Sequence, residues 1–172
     1  MDGDRGVAAA GPRVLSLANN RAMREVKAPA RPGLERRVFL AGSIEMGLAE
    51  LWQERVVRAL SRGGDVIFLN PRRDDWDDSW DQAADNPRFF EQVSWELDML
   101  EAADIVVMYL APDTRSPVSL LELGLYARSG KLRVCCPRGF WRRGNVEMVC
   151  QRFRIPLYES LEELTEGLRA SL

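Results

Sequence analysis

Short runs of consecutive apolar residues alternate along this chain with longer stretches whose apolar positions recur every three or four residues. Arg37-Val-Phe-Leu-Ala41, Val66-Ile-Phe-Leu69, Ile105-Val-Val-Met-Tyr-Leu110, Leu132-Arg-Val-Cys-Cys136 and the segment Ile155–Tyr158 are of the first kind. Their unbroken apolarity predicts strands buried on both faces. The second kind predicts a helix over about 48–62, where Leu51, Val56, Val57 and Leu60 share a face and Gly63-Gly64 ends the run. Further helices are predicted over about 88–102, from Pro117, over Asn145–Phe153 and over Leu161–Leu172. Strands and helices alternating at these lengths form a parallel sheet with helices on both faces. The expected fold is therefore a flavodoxin-like or Rossmann-like three-layer α/β sandwich, with five parallel strands in the order 2-1-3-4-5. Such sheets bind ligands in the crevice beyond the carboxyl ends of their strands. That place collects Gly42 and Ser43, the loop from Asn70 to Asn86, the Ala111–Ser119 turn with Asp113, and the Pro137–Asn145 loop.

Residues 1–26 are rich in Gly, Ala and Arg and carry no sustained periodicity, which predicts a mobile N-terminal extension. Asp2 and Asp4 argue against an organelle transit peptide there. Residues 27–172 make one domain, which is what 172 residues allow. The formal net charge of -2 offers no basic surface, so a nucleic-acid polymer is not an expected partner. No apolar run approaches the ~20 residues that span a bilayer. Three cysteines, two of them adjacent at Cys135 and Cys136, make neither a disulfide framework nor a zinc pattern, and a reducing, cytoplasmic setting is the simple expectation. The chain has no histidine. That excludes Ser-His-Asp and Cys-His catalysis and argues against a transition-metal site, so no metal or cofactor is expected. Acid–base chemistry must rest on Asp, Glu, Tyr, Lys or Cys.

Ser116-Pro-Val-Ser-Leu-Leu-Glu122-Leu-Gly124 is the most informative segment. Ser116 followed by Pro117 predicts a helix start, with a side-chain oxygen to cap and proline at the first helical position. Glu122 then falls in the second turn, one turn after Ser119, aimed at the crevice. On spacing alone the simpler reading is a solvated carboxylate favoured by the helix dipole. The segment resembles, however, the nucleophile motif of the nucleoside 2-deoxyribosyltransferase superfamily, where a Glu followed by Leu or Ile and Gly attacks the anomeric carbon. Phe39-Leu-Ala-Gly-Ser-Ile44 is similar to that family's first strand and substrate loop. Asn70-Pro-Arg-Arg-Asp-Asp-Trp76 resembles its loop after strand two, and Trp95-Glu-Leu-Asp-Met-Leu-Glu-Ala-Ala-Asp104 its acid-bearing helix. Gly144-Asn-Val-Glu147 resembles the segment that completes a neighbouring subunit's site. The likeness runs from about Val38 to Ile155 and is to the deoxyribosyltransferase-like branch.

What the resemblance implies is cleavage of an N-glycosidic bond, with Glu122 as nucleophile and a second carboxylate serving the departing base as acid. Two candidates lie on one predicted helix. Its apolar stripe Phe90, Val93, Leu97, Leu100 sets the buried face; Glu96 borders that stripe while Asp98 points away. The family register also puts Glu96 where relatives usually have Asp. Glu96 is favoured, with Asp98 the alternative. Arg72 and Arg73 are candidates for a phosphate or for orienting an acid, or they pair with Asp74 and Asp75. Trp76 and Trp80 are candidates for stacking on a base, or they cover the core edge. Tyr109 and Tyr126 are candidates for orienting Glu122, since Val38 and Phe39 stand where transferase relatives often carry Tyr. The resemblance gives Asn145 and Glu147 a role across a subunit interface, which implies a homo-oligomer.

Six residues before the nucleophile, the family's transferases resemble one another in having Asp and its monophosphate hydrolases in having Ser; this chain has Ser116. Arg72-Arg73-x-x-Trp76 resembles the CMP N-glycosidases of nucleoside-antibiotic pathways, whereas Asn145 is transferase-like. The expected function is cleavage and transfer at the N-glycosidic bond of nucleosides, the partners being a nucleoside or nucleotide and a free base. Two alternatives stand beside it: a nucleoside 5′-monophosphate N-hydrolase and a non-catalytic nucleotide-binding module.

Overall fold

Apolar runs without alternation need cover on both sides, and among the described residues five helices around one parallel sheet supply it. A computed structural model describes residues 24–33, 35–45, 49–60, 66–77 and 79–172. The strands are β1 (Arg24–Lys27), β2 (Arg36–Gly42), β3 (Val66–Asn70), β4 (Ile105–Tyr109), β5 (Leu132–Cys135) and β6 (Leu157–Tyr158). They lie in the order β1-β3-β2-β4-β5-β6, every pair parallel. The sheet thus has six strands rather than five, and its order differs from the expected one by an added strand at the edge. Residues 24–26, assigned above to the N-terminal extension, belong to that strand: Glu25 pairs with Phe68 and Val26 with Leu69. The remainder of the extension lies outside the described residues.

The helices are α1 (Trp52–Leu60), α2 (Pro87–Ala102), α3 (Pro117–Tyr126), α4 (Arg143–Phe153) and α5 (Leu161–Arg169). Strand alternation divides the core between two faces. Val38, Leu40, Val107 and Phe68 pack on Trp52, Val56 and Leu60 of α1 and Leu161, Leu164 and Leu168 of α5. Phe39, Ala41, Val106 and Met108 pack on Trp95, Met99 and Leu100 of α2, Leu123 and Ala127 at α3, and Val146 and Cys150 of α4. The chain leaves β2 toward one face and β4 toward the other. The gap between the ends of these paired strands is the switch point where such sheets open a crevice.

Two helices differ from the pattern-based expectation. In α2 the buried residues are Gln92, Trp95, Met99 and Leu100, while Phe90 and Leu97 are exposed. Two large residues, Trp95 and Met99, win the inner face, so the predicted stripe is rotated. Asn86 caps α2, its Oδ1 accepting from the amides of Arg88 at 3.0 Å and Phe89 at 3.4 Å, with Pro87 at the first helical position. In α1 the helix begins at Trp52, and Leu51, assigned to the core face, is exposed. At the far edge β6 starts at Leu157, because the Ile155 amide is bonded back to the Cys150 carbonyl of α4 at 2.8 Å and Pro156 has no N–H. Cys135, Cys136 and Cys150 are free and buried, and burial pushes their thiols up to about 12, 11 and 12, which leaves them poor nucleophiles.

Candidate active site

The crest of the sheet is built by Gly42 and Ser43. Gly42 has φ 137°, and a Cβ there would collide with the Tyr109 backbone of the paired strand, so only glycine lets β2 and β4 stay paired to their ends. Ser43 is fully buried. Its amide donates to the Tyr109 carbonyl (2.8 Å), and its Oγ accepts from the Ala111 amide (2.9 Å). The same Oγ contacts Thr114 Oγ1 at 2.8 Å and Ser116 Oγ at 2.6 Å, and those two hydroxyls lie 3.0 Å apart. Thr114 gives its proton to the Ala111 carbonyl. The remaining two protons, on Ser43 and Ser116, can fill two of the three contacts at a time, and these bonds tie the β2 and β4 loops together.

Ser116 stands ahead of α3 as expected but does not cap it. Its backbone is left-handed (φ 45°, ψ 51°), and its hydroxyl turns into the triad rather than toward the helix amides. The seat is served by Glu45, whose Oε1 accepts from the amides of Arg115 (2.8 Å) and Ser116 (2.7 Å). No periodicity signals this contact, which joins loops about seventy residues apart in sequence.

From that start α3 turns Ser119, Glu122 and Leu123 inward. Glu122 is 8% exposed, and among the described residues its carboxylate takes neither a hydrogen bond nor an ion pair. Burial, and then the neighbouring Glu96 carboxylate, push it up to about 8. Glu96 lies half-buried on the inner edge of α2. Its acid is pushed up by burial and drawn back by the Gln92 side-chain amide, which donates to it at 2.8 Å. The same Gln92 nitrogen donates to the Pro71 carbonyl at 2.8 Å, which anchors the pair to the loop after β3. Gln92 was not singled out from sequence. Its signal is the i, i+4 spacing to Glu96, readable only once the inner face of α2 is known. Asp98 points to solvent and pairs with Arg31 at 2.9 Å, away from Glu122. α2 and α3 thus bring Glu96 and Glu122 together.

The other candidates are distributed differently. Asn70 is buried, accepting from the Arg72 amide (3.0 Å) and donating to Glu25 (2.7 Å). The Arg72 guanidinium donates to the carbonyls of Ala49 and Glu50, each at 3.2 Å. Arg73 forks onto Asp75 (2.8 and 3.0 Å) and Glu91 (2.9 Å), and Asp74 pairs with Lys27. Trp76 packs on Trp80 with ring centroids 5.2 Å apart, and Arg73 and Arg88 lie over Trp80. Tyr109 donates to Glu50 (2.9 Å) and Tyr126 to Glu101 (3.4 Å), so neither hydroxyl holds Glu122. Asp113 (φ 62°) borders a depression of about 450 Å³ with Glu45, Ala49, Glu50, Ala111, Pro112 and Thr114 at the switch point. Asn145 is exposed in a groove of about 360 Å³ between α3 and α4, beside Leu123, Gly124 and Trp141. Glu147, two residues on and so turned to another side of α4, is exposed and paired with Arg143 at 2.7 Å. Among the described residues no group of three or more Cys, Asp or Glu is placed to hold a metal ion.

A buried carboxylate without partners beside a second, proton-retaining carboxyl suits nucleophilic attack at a carbon that develops positive charge, coupled to protonation of its leaving group. Residues 35–140 match the family described as nucleoside 2-deoxyribosyltransferase like. Among solved structures, a conserved protein from Enterococcus faecalis V583 aligns with a TM-score of 0.55, over 80% of this chain and 99% of its own, at 13% identity. At that identity the likeness speaks for the fold alone. No curated protein matches the chain. No helix is long and apolar enough to cross a membrane, among the described residues.

Proposed function

Because the chain belongs to the nucleoside 2-deoxyribosyltransferase-like family, we propose that it cleaves the N-glycosidic bond of a nucleoside through an ester between the sugar and Glu122, then passes the sugar to a second base. In the first half, a Glu122 oxygen attacks C1′ as the C1′–N bond breaks. The bonding pair goes to the base nitrogen, which takes the proton of Glu96. In the second half, Glu96 as carboxylate accepts a proton from the incoming base, whose nitrogen attacks C1′ and expels Glu122. Water in place of the second base gives hydrolysis by the same path.

The observation that carries this reading is the Glu122–Glu96 pair: one carboxylate buried without a partner, the other held by Gln92. Two like charges at one buried place share a proton, which supplies a nucleophile and an acid at once. A module that only bound nucleotides would gain nothing from such a pair. Two buried polar atoms without partners among the described residues, Gln92 Oε1 and Trp76 Nε1, lie on the elements bordering it and are candidate base contacts. The deciding experiment mixes the protein with a panel of nucleosides, quenches in acid and measures intact mass. A sugar adduct on the wild type that is absent from Glu122→Ala is the expected result. Turnover by Glu122→Ala within a few-fold of wild type overturns the reading.

A further inference from the structure

Of the two carboxyls that α2 and α3 bring together, Glu96 alone is held by another side chain among the described residues, and that hold decides where its proton can be. Gln92 is 3% exposed, and its terminal nitrogen lies 2.8 Å from two oxygens, the Pro71 carbonyl and Glu96 Oε1. A carbonyl oxygen accepts and never donates. The Gln92 atom beside Pro71 is therefore the nitrogen, and its second hydrogen is left for Glu96. Glu96 Oε1 is thus an acceptor whether the carboxyl is protonated or not, while Oε2 takes no bond among the described residues. At the other end of the amide, Gln92 Oε1 is buried without a partner among the described residues. An orphaned acceptor lowers stability, so packing alone gives no reason for an amide here. From α3 the charged group facing Glu96 is Glu122. On α2 itself Glu91 pairs with Arg73 and Asp98 with Arg31, and in the loop after β3 Arg72 is turned onto the Ala49 and Glu50 carbonyls.

We propose that Gln92 is the positioning residue of the acid: anchored on the Pro71 carbonyl, it donates to Glu96 Oε1 and so confines the transferable proton to Oε2. This rests on the N-glycosidase reading for the use of that proton, while the hydrogen bond itself is tested apart from turnover. As the C1′–N bond breaks, the base nitrogen keeps the bonding pair and takes the proton from Oε2. The charge left on Glu96 is met at Oε1 by a hydrogen already in place, in a charge-assisted bond stronger than the one before transfer. The bond favours the deprotonated side of that step, and it draws back the acid that burial pushes up. The anchor matters as much as the donor. Without the Pro71 carbonyl the amide could turn its oxygen toward Glu96, and the proton would be held by Gln92 instead of being kept for the base.

The titration of Glu96 is read by carbon NMR on carboxyl-labelled glutamate in a Glu122→Gln protein, where no second carboxylate shares the proton, with the signal assigned by adding Glu96→Gln. Gln92→Met keeps the length of the side chain and removes the donor. It is expected to raise the Glu96 midpoint by about one pH unit, a tenfold gain in proton affinity. With Gln92 intact, its side-chain amide signals should move with that midpoint, a reading that needs no substitution at Gln92. Activity is read as kcat and KM with Glu122 restored. Gln92→Met should lower kcat ~10-fold or more on an ordinary nucleoside, leave KM within a few-fold, and cost less than ~3-fold on a substrate whose leaving group needs no proton. In a Glu96→Gln background it should likewise cost less than ~3-fold. A Glu96 midpoint that stays in place in folded Gln92→Met, or Gln92 amide signals indifferent to it, overturns the proposal whether or not any nucleoside is turned over. Equal changes in kcat on both substrates, or in both backgrounds, overturn it too, because a merely structural residue gives those. A shifted midpoint in a protein that turns over no nucleoside overturns the glycosidase reading and leaves the hydrogen bond supported.

Discussion

Glu122 makes a demand on stability that its chemistry explains. Burial and Glu96 push its acid up to about 8, against 4.5 for the ordinary carboxyl. Between those values the folded chain holds a proton that the unfolded chain has released, so this group's contribution to stability falls as pH rises from about 4.5 to about 8 and is lost above. Glu122→Gln removes the titration. The variant should lose at least ~1000-fold in kcat. Relative to wild type it should gain roughly 1–3 kcal/mol at pH 9, a discounted share of the ~1.4 kcal/mol that each tenfold change in proton affinity is worth. That gain should vanish near pH 4. Thermal unfolding across pH measures this, and a wild type equal to the variant at pH 9 would contradict the buried charge. Glu96 gives a different signature. The reactive form has Glu122 ionised and Glu96 protonated, so activity should fall on an alkaline limb where the Glu96 proton, held above the ordinary carboxyl range by burial, leaves. Glu96→Gln should abolish that limb and slow ordinary nucleosides ~100-fold or more, while a substrate whose leaving group needs no proton stays within ~10-fold. Equal losses on both substrates would remove Glu96 from the acid's role. Sequence alone pointed to Glu122 and Glu96 through motif and register. It did not reveal Gln92, because the large side chains of Trp95 and Met99 turn α2 relative to its apparent stripe.

Turns carried the least signal and hold the most of the site. The pattern of apolar runs located the strands and helices to within a few residues, because burial on both faces leaves a plain trace in composition. Ser116-Pro117 likewise marked the start of α3. Yet the cap it implied is absent, since the left-handed turn at Ser116 commits the hydroxyl to Ser43 and Thr114. Which loop meets which depends on Gly42, where the close approach of β2 to β4 is decided. Gly42→Ala places a Cβ against the Tyr109 carbonyl and amide and also strains φ at 137°. Backbone cannot yield as a flexible side chain would, so the strand ends must part and the hydroxyl triad with them. The expected cost is about 3 kcal/mol or more, read as a lowered urea midpoint, together with a loss of activity exceeding that of Ser43→Ala. A Gly42→Ala protein of wild-type stability would show that the crest is looser than its hydrogen bonds imply.

The edges of the assembled domain are where sequence patterns and three-dimensional arrangement part most. β1 is four residues long and polar at Arg24, Glu25 and Lys27, so nothing in its periodicity separates it from a tail. It is held by β3 and by Asn70, which donates to Glu25. The outer surface of α3 poses the reverse case: Val118, Leu121 and Leu125, spaced as one helical stripe, are each more than half exposed, and Met148 on α4 and Trp141 before it are exposed as well. Isolated exposed apolar residues are common, but three in one stripe of a single helix, whose neighbouring face lines a groove with Trp141, are a surface with something to cover. The groove carries Asn145, the residue whose family resemblance assigns it to a neighbour's site, and it runs along the helix that bears Glu122. The family resemblance of Asn145 makes a second copy of the chain the expected occupant. Burying each of these side chains is worth ~1.5–3 kcal/mol, enough in sum to offset the loss of translational freedom on association. The expected state is a dimer or larger by light scattering, with specific activity that falls on dilution through the dissociation range. Leu121→Arg together with Leu125→Arg should give monomers with the same circular dichroism and little activity, because the Asn145 of one copy would no longer reach the other. A wild type that is monomeric and fully active at assay concentration would exclude this arrangement, and Asn145 would then belong to its own subunit's groove alone.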